Sequence, residues 1–414
     1  MPRQRLLELN EQVFNVATNI KLLGHISWPA GIGDEFIRNY KSGSIKLPQI
    51  SYEKVDYREL EAELHKIKNS FTPNDPIENF IVDTIHSLMD SIQLNHSIGT
   101  PEFTEISKRV FGVPDDNLPN SKISILSAAK QVIDMAEEFN HPYLKEIDET
   151  VDAEDVKAYL ERRIKGAFKD DAPQVIITEG MAAKATATPK VIRLRNGRHF
   201  SNYDFKQLFY HEVMTHSLTS INGEAQPILK LMAKGTLRTL TTQEGLATFA
   251  EVITGSMDIH RLKRLALRTV AIEMALCGAN FVEVFEYFLS KGIPHAESFS
   301  STQRIFRGGF PDKNIIFTKD CVYLDGLMNI HTLFNWAMKN NRIELTHLLF
   351  CGRVSIDDLF VLEPFYKSGI IEAPKFLPAW YGKIDGLAGS LGFSLLANLI
   401  RIDNNPHILS KKAS

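Results

Sequence analysis

Cysteine is scarce in this sequence: Cys277, Cys321 and Cys351 are the only three among 414 residues, and no two form a CxxC pair. Such a count argues against a disulfide framework and makes a reducing compartment the expected setting. Long apolar runs are missing as well. The longest candidate, Leu391 to Ile402, is broken by Ser394 and Asn398 and carries Arg401, well short of the roughly 18 to 20 apolar residues that span a bilayer. The opening MPRQRLLELNEQVFNV has no continuous apolar core of a signal peptide. Neither sign of charge dominates, with 47 Lys and Arg against 50 Asp and Glu and a net charge of −3. That balance gives no electrostatic footprint for duplex DNA or an anionic membrane. No P-loop, no GxGxxG and no helix-turn-helix with a basic recognition face is present. The expectation is a soluble cytoplasmic protein with no nucleic-acid or membrane partner; its oligomeric state is not legible.

With 44% hydrophobic and 23% charged residues, the composition is that of a folded globular chain. Apolar residues recur mostly at helical spacing. Helices are expected at 4–24, 55–71, 76–95, 101–112, 121–139 and 152–167, and again at 202–221, 242–257, 259–278, 281–291, 296–306, 319–339 and 342–351. Asn74-Asp75-Pro76 is a start signal for the third of these, and Asp152 with Asp155 a weak capping pair. Gly31 and Gly33 break the pattern, and 43–53 reads as an extended connector ending near Tyr52. Gln174–Thr178 and Lys190–Arg195 are short and β-branched, which predicts a small strand pair joined by the Gly180–Pro189 loop. Arg193 and Arg195 share one side of the second strand, either lining a groove or solvated. The fold class is mainly α with a small β element, divided into an N-terminal helical domain, 1–150, and a second domain, 151–414.

The chemistry concentrates in Phe209-Tyr-His211-Glu212-Val-Met-Thr-His216, two imidazoles in an apolar helical stretch with a carboxylate beside the first. Neutral imidazoles suit zinc, and a Glu next to the metal can serve as general base on a zinc-bound water. Histidines four apart lie about 40° apart on an α-helix, whereas these, five apart, lie about 140° apart. A π-bulge, which inserts one residue, or an equivalent distortion returns them to a shared face. The alternative is two separately hydrogen-bonded histidines. A third ligand is sought in Thr241-Thr-Gln243-Glu244-Gly245-Leu246-Ala247, where Thr241 or Thr242 can cap a helix and Glu244 can be either a ligand or a dipole-favoured carboxylate in its first turn. Gly245 costs helix stability and permits close approach of another backbone or a metal site. Glu251, on the same face as Glu244, is an alternative ligand or a partner to a ligating His. The basic run His260–Arg264 with Arg268 reads as an exposed helix face, and Gly308-Gly309 as a helix stop.

His211-Glu-Val-Met-Thr-His216 followed by Gln243-Glu-Gly-Leu-Ala247 resembles the QEGLA-motif family, the bacterial flavohaemoglobin expression-modulating proteins, related to the microtubule-associated tyrosine carboxypeptidases. The likeness extends to Phe306-Arg307-Gly308, to Phe317–Gly326 and, more weakly, to Asn19–Pro29 and Thr104–Pro114. The His-Glu-x-x-x-His spacing is also similar to that of the dipeptidyl peptidase III family. The resemblance implies a helical, gluzincin-like zinc metallopeptidase whose catalytic domain is 151–414. His211, His216 and Glu244 would bind Zn and Glu212 would be the catalytic base. It further implies a carboxypeptidase acting on a peptide or protein C-terminus and removing an aromatic, tyrosine-like residue. Within such a site Tyr323 can donate to a developing oxyanion and Arg307 can hold the substrate carboxylate; otherwise Tyr323 packs and Arg307 sits on the surface. The competing reading is a non-catalytic metal-binding regulator of another protein's expression.

Overall fold

The computed structural model describes residues 3–21, 24–29, 31–71, 75–139, 149–179, 181, 184–197 and 199–397. Helix α1 (Arg3–Asn19) buries the stripe Leu6, Leu9, Val13 and Val16. Then α2 (Ile32–Lys41) forms where the glycines suggest only a break. Gly31 serves as its N-cap in the left-handed region, with φ 84. Gly33 is there for packing, since a Cβ would fall 2.8 Å from the Phe299 ring. Residues 44–57 carry no regular structure, as the extended connector requires. They lead into α3 (Arg58–Lys68), α4 (Pro76–His96), α5 (Pro101–Phe111) and α6 (Ile125–Glu138). The start signal of α4 works as read: the Asp75 side chain accepts from the Ile77 amide at 2.9 Å, with Pro76 in the first turn.

Helix α7 (Ala153–Phe168) has Asp152 at its N-cap, but the carboxylate makes no capping bond and lies 3.2 Å from His199 Nδ1 instead. The expected strand pair exists as β1 (Gln174–Thr178) and β3 (Val191–Arg195), running parallel from Gln174↔Val191 to Thr178↔Arg195. A parallel neighbour needs a crossover, and its returning leg is a third strand, β2 (Ala185–Ala187), antiparallel to β3 on its other side. Gly180, Ala182 and Ala183 of the joining loop lie outside the described residues, as does the C-terminal stretch beyond Ala397.

A capping box of Ser201 and Asp204 opens α8 (Asn202–Leu208). A π-helix (Phe209–Ser217) and α9 (Leu218–Glu224) continue the same run. The rest is α10 (Leu240–Ile253), α11 (Ile259–Leu276), α12 (Phe281–Ser290), α13 (His295–Phe306), α14 (Cys321–Lys339), α15 (Leu348–Cys351), α16 (Ile356–Lys367) and α17 (Ile384–Ala397). The described chain is thus mainly helical with one small sheet, and no described helix is long and apolar enough to cross a membrane. One apolar cluster joins Val13, Ile81 and Ile85 to Leu160, Ile192, Met214, Leu246 and Leu349, so it takes in both sides of residue 150. A second is aromatic, with Trp28 and Phe36 set among Phe281, Phe285, Phe299 and Phe306. The third packs Phe103 and Phe111 on Phe317 and Val322. Helix α10 packs on both α14 and the π-helix.

Candidate metal centre

The π-helix places the two histidines. Its hydrogen bonds reach back five residues, and the Thr215 hydroxyl repeats that reach by donating to Tyr210 O at 2.9 Å. Residues five apart therefore share a face, and the His211 and His216 rings stand 4.9 Å apart, nearly perpendicular at 84°. From the neighbouring α10, Glu244 completes the group. Its Oε2 lies 3.5 Å from His211 Nε2 and 3.6 Å from His216 Nε2, and one ligand atom from each of the three residues falls within 4.8 Å of the others. Three atoms each about 2.1 Å from a tetrahedral zinc would be about 3.4 Å apart. The observed spacing fits that ion, and the N,N,O donor set is one that zinc takes.

Helix α10 begins at Leu240, earlier than the threonines suggest, so neither Thr241 nor Thr242 is its cap; Thr242 Oγ1 accepts from the Ile356 amide at 3.1 Å. Glu244 accordingly sits beyond the first turn and owes its place to the site, not to the helix end. Burial pushes its pKa up, but Lys319, whose Nζ is 3.1 Å from Oε1, and the two imidazoles hold it well below the usual carboxylate range. Gly245 does permit the close approach expected of it. A Cβ there would fall 2.3 Å from the Gly326 carbonyl, and one on Gly326 would fall 2.2 Å from Thr241 O. The two glycines let α10 lie directly on α14.

Glu251 proves to be the partner of a histidine. Its Oε1 lies 2.6 Å from His211 Nδ1, and because a carboxylate only accepts, Nδ1 donates and Nε2 is the ring nitrogen that faces Glu244. Burial alone would depress the His211 pKa, yet Glu244 and Glu251 raise it to about 10. Glu251 is itself held by Gln207 Nε2 at 3.3 Å and by a fork from Arg261, one arm at 2.7 Å. Arg261 therefore turns inward, as do Arg264 toward Glu297 at 3.0 Å and Arg268 toward Asp320 at 3.6 Å. The exposed basic face expected there is not what forms, because carboxylates on neighbouring elements, Glu251 and Asp320 buried and Glu297 half-buried, recruit it.

Glu212 is half-buried beside His211 and makes no hydrogen bond or ion pair with a described residue. On the other flank lies a cationic group. Arg304 grips Asp320 at 2.5 and 2.7 Å and donates to the Tyr323 hydroxyl at 3.2 Å. Lys319 Nζ stands 5.0 Å from the Tyr323 ring centre. Arg307, half-buried, stacks 5.1 Å over Phe317, and its Nε has no partner among the described residues. Burial, then Arg304, lowers its pKa to about 10; the same two causes do so for Arg268, whose Nε is also unpartnered. The Asp320 carboxylate is shared by Arg268, Arg304, Arg307 and Lys319, a local excess of positive charge that suits an anionic ligand. Arg193 is half-buried and Arg195 exposed on the sheet.

Sequence reasoning missed Lys319 on Glu244 and Arg353, which donates to His216 O at 3.1 Å. Lys319 lay inside the quoted Phe317–Gly326 block, so its position was a signal. Nothing local marks Arg353.

A family model described as microtubule-associated tyrosine carboxypeptidase matches residues 35–399. Among solved structures, metallocarboxypeptidase 1 of Trypanosoma cruzi aligns at 12% identity and a TM-score of 0.41, over 89% of this chain and 98% of that one. No curated protein matches.

Proposed function

Because the chain belongs to the microtubule-associated tyrosine carboxypeptidase family, we propose that it is a zinc carboxypeptidase removing an aromatic, tyrosine-like residue from a peptide or protein C-terminus. The observation that carries this reading is the convergence of His211, His216 and Glu244 within 4.8 Å beside Glu212, which has no partner among the described residues. The three residues would hold the ion. Zinc bound there would supply Lewis acidity, polarising the scissile carbonyl and acidifying a neighbouring water. Glu212 takes that water's proton and passes it to the leaving amine. Arg307 receives the terminal carboxylate as a fork. Tyr323 accepts from Arg304, so its own O–H is left to donate to the developing oxyanion. The aromatic preference rests on the family's name, and kinship with the bacterial QEGLA-motif proteins on Gln243–Ala247. A cytoplasmic location is supported by three free cysteines.

Metal analysis of the purified protein, paired with a C-terminal peptide-library digest of wild type and Glu212→Gln, tests the reading. Zinc content should be the same in both proteins, while Glu212→Gln should lose on the order of 10²-fold or more in kcat. A zinc-loaded wild type that trims no peptide in the library would sink the carboxypeptidase and favour the non-catalytic regulator.

A further inference from the structure

A guanidinium reads a carboxylate only if its backbone is held still, and Arg307 sits where a helix has just ended. Its amide still bonds to Gln303 O at 2.9 Å, but its ψ of 141 is extended. The next two residues are glycines, the least self-restrained pair a chain can offer. Gly308 has φ 85 beneath Phe103, where a Cβ would fall 2.1 Å from Cζ, and Gly309 lies against Ile315. The Gly99 amide donates to Gly308 O at 2.8 Å.

Two further polar groups of this turn, the Gly308 amide and the Gly309 carbonyl, meet at one oxygen, the hydroxyl of Tyr52. It accepts from the Gly308 amide at 2.9 Å, donates to Gly309 O at 2.8 Å, and accepts from Trp28 Nε1 at 2.8 Å. One donor and two acceptor positions are all a phenol has, and all are used. Burial raises the Tyr52 pKa, while its donors and the Arg307 charge act the other way. The ring rests on Phe310, 5.7 Å between centres. Tyr52 comes from the irregular 44–57 segment, 256 residues from Gly308 in sequence.

We propose that Tyr52, backed by Trp28, is a positioning residue for carboxylate recognition: it fixes the Arg307–Gly309 turn so that the guanidinium meets the substrate terminus. The proposal rests on the reading of Arg307 given above. It makes the N-terminal connector part of the specificity apparatus.

Tyr52→Phe keeps the ring on Phe310 and removes only the hydroxyl. Its KM for a peptide with a free C-terminus should rise on the order of 10-fold, with kcat within about threefold and zinc content unchanged. Trp28→Phe, which removes one donor to that hydroxyl, should shift KM the same way by less, and it carries the test if Tyr52→Phe does not fold. Arg307→Ala and the Tyr52→Phe/Arg307→Ala double variant complete a cycle. Action through Arg307 requires the double variant to be no worse than Arg307→Ala alone. An unchanged KM in Tyr52→Phe while Arg307→Ala raises it, or additive losses in the double variant, overturns the positioning role. An Arg307→Ala protein with unaltered KM rejects the Arg307 reading itself, and the role of Tyr52 falls with it.

Discussion

The Glu251 carboxylate shows how much one side chain can govern at the candidate centre. It fixes which nitrogen of His211 faces Glu244, and two further residues, Gln207 and Arg261, fix Glu251 in turn. Glu251→Gln keeps the shape but can offer His211 only a neutral acceptor. Zinc affinity should fall about 10- to 100-fold, read by competition with a chelator; equal affinity would mean that the 2.6 Å contact does not orient the ligand. At this scale the sequence was legible where residue types are rare in their setting. Two histidines and a glutamate in an apolar helix stand out, and so does a second glutamate in the next helix. Lys319 and Arg353 did not stand out as parts of the site, because a Lys or Arg reads as solvated until the fold brings a buried acceptor to it, here Glu244 Oε1 and His216 O.

Among the elements, the π-helix was legible because five-residue spacing and a shared metal contradict each other on a regular α-helix. The helix α2 was not, since Gly31 and Gly33 look like interruptions until Phe299 is seen over one of them. Strand β2 was hidden for a similar reason: three residues in a loop become a strand only when β3 is present to pair with them. Gly245 carried half of a contact whose other half, Gly326, comes from a distant helix. Gly245→Ala would gain helix propensity, and overpacking should outweigh it: Cβ has no room at 2.3 Å from a carbonyl of α14. A loss of about 1 to 3 kcal/mol is expected by denaturant unfolding, together with weaker zinc binding, because Glu244 is the adjacent residue. An Ala variant as stable as wild type would show that the two helices can part freely.

For the whole molecule, the class of fold was legible from periodicity, while the way its halves share a core was not, because no pattern along a chain reports which faces meet. The division at residue 150 is a proposal about organisation. Val13, Ile81 and Ile85 lie in one cluster with Met214, Leu246 and Leu349, which argues for a single cooperative transition. Calorimetry should give one peak whose calorimetric and van't Hoff enthalpies agree; two separable peaks would favour independent domains. The Tyr52 clamp also has a consequence in time. Its hydroxyl is made 256 residues before the Gly308 amide that it accepts from, an interval of roughly 13 to 50 s at ribosomal rates of 5 to 20 residues per second. Through that wait the connector has no turn to hold. Arg353, which donates to His216 O, emerges later still. On the proposed reading of Arg307, a nascent chain that already carries His211, His216 and Glu244 still awaits the side chain that would receive a substrate's carboxylate.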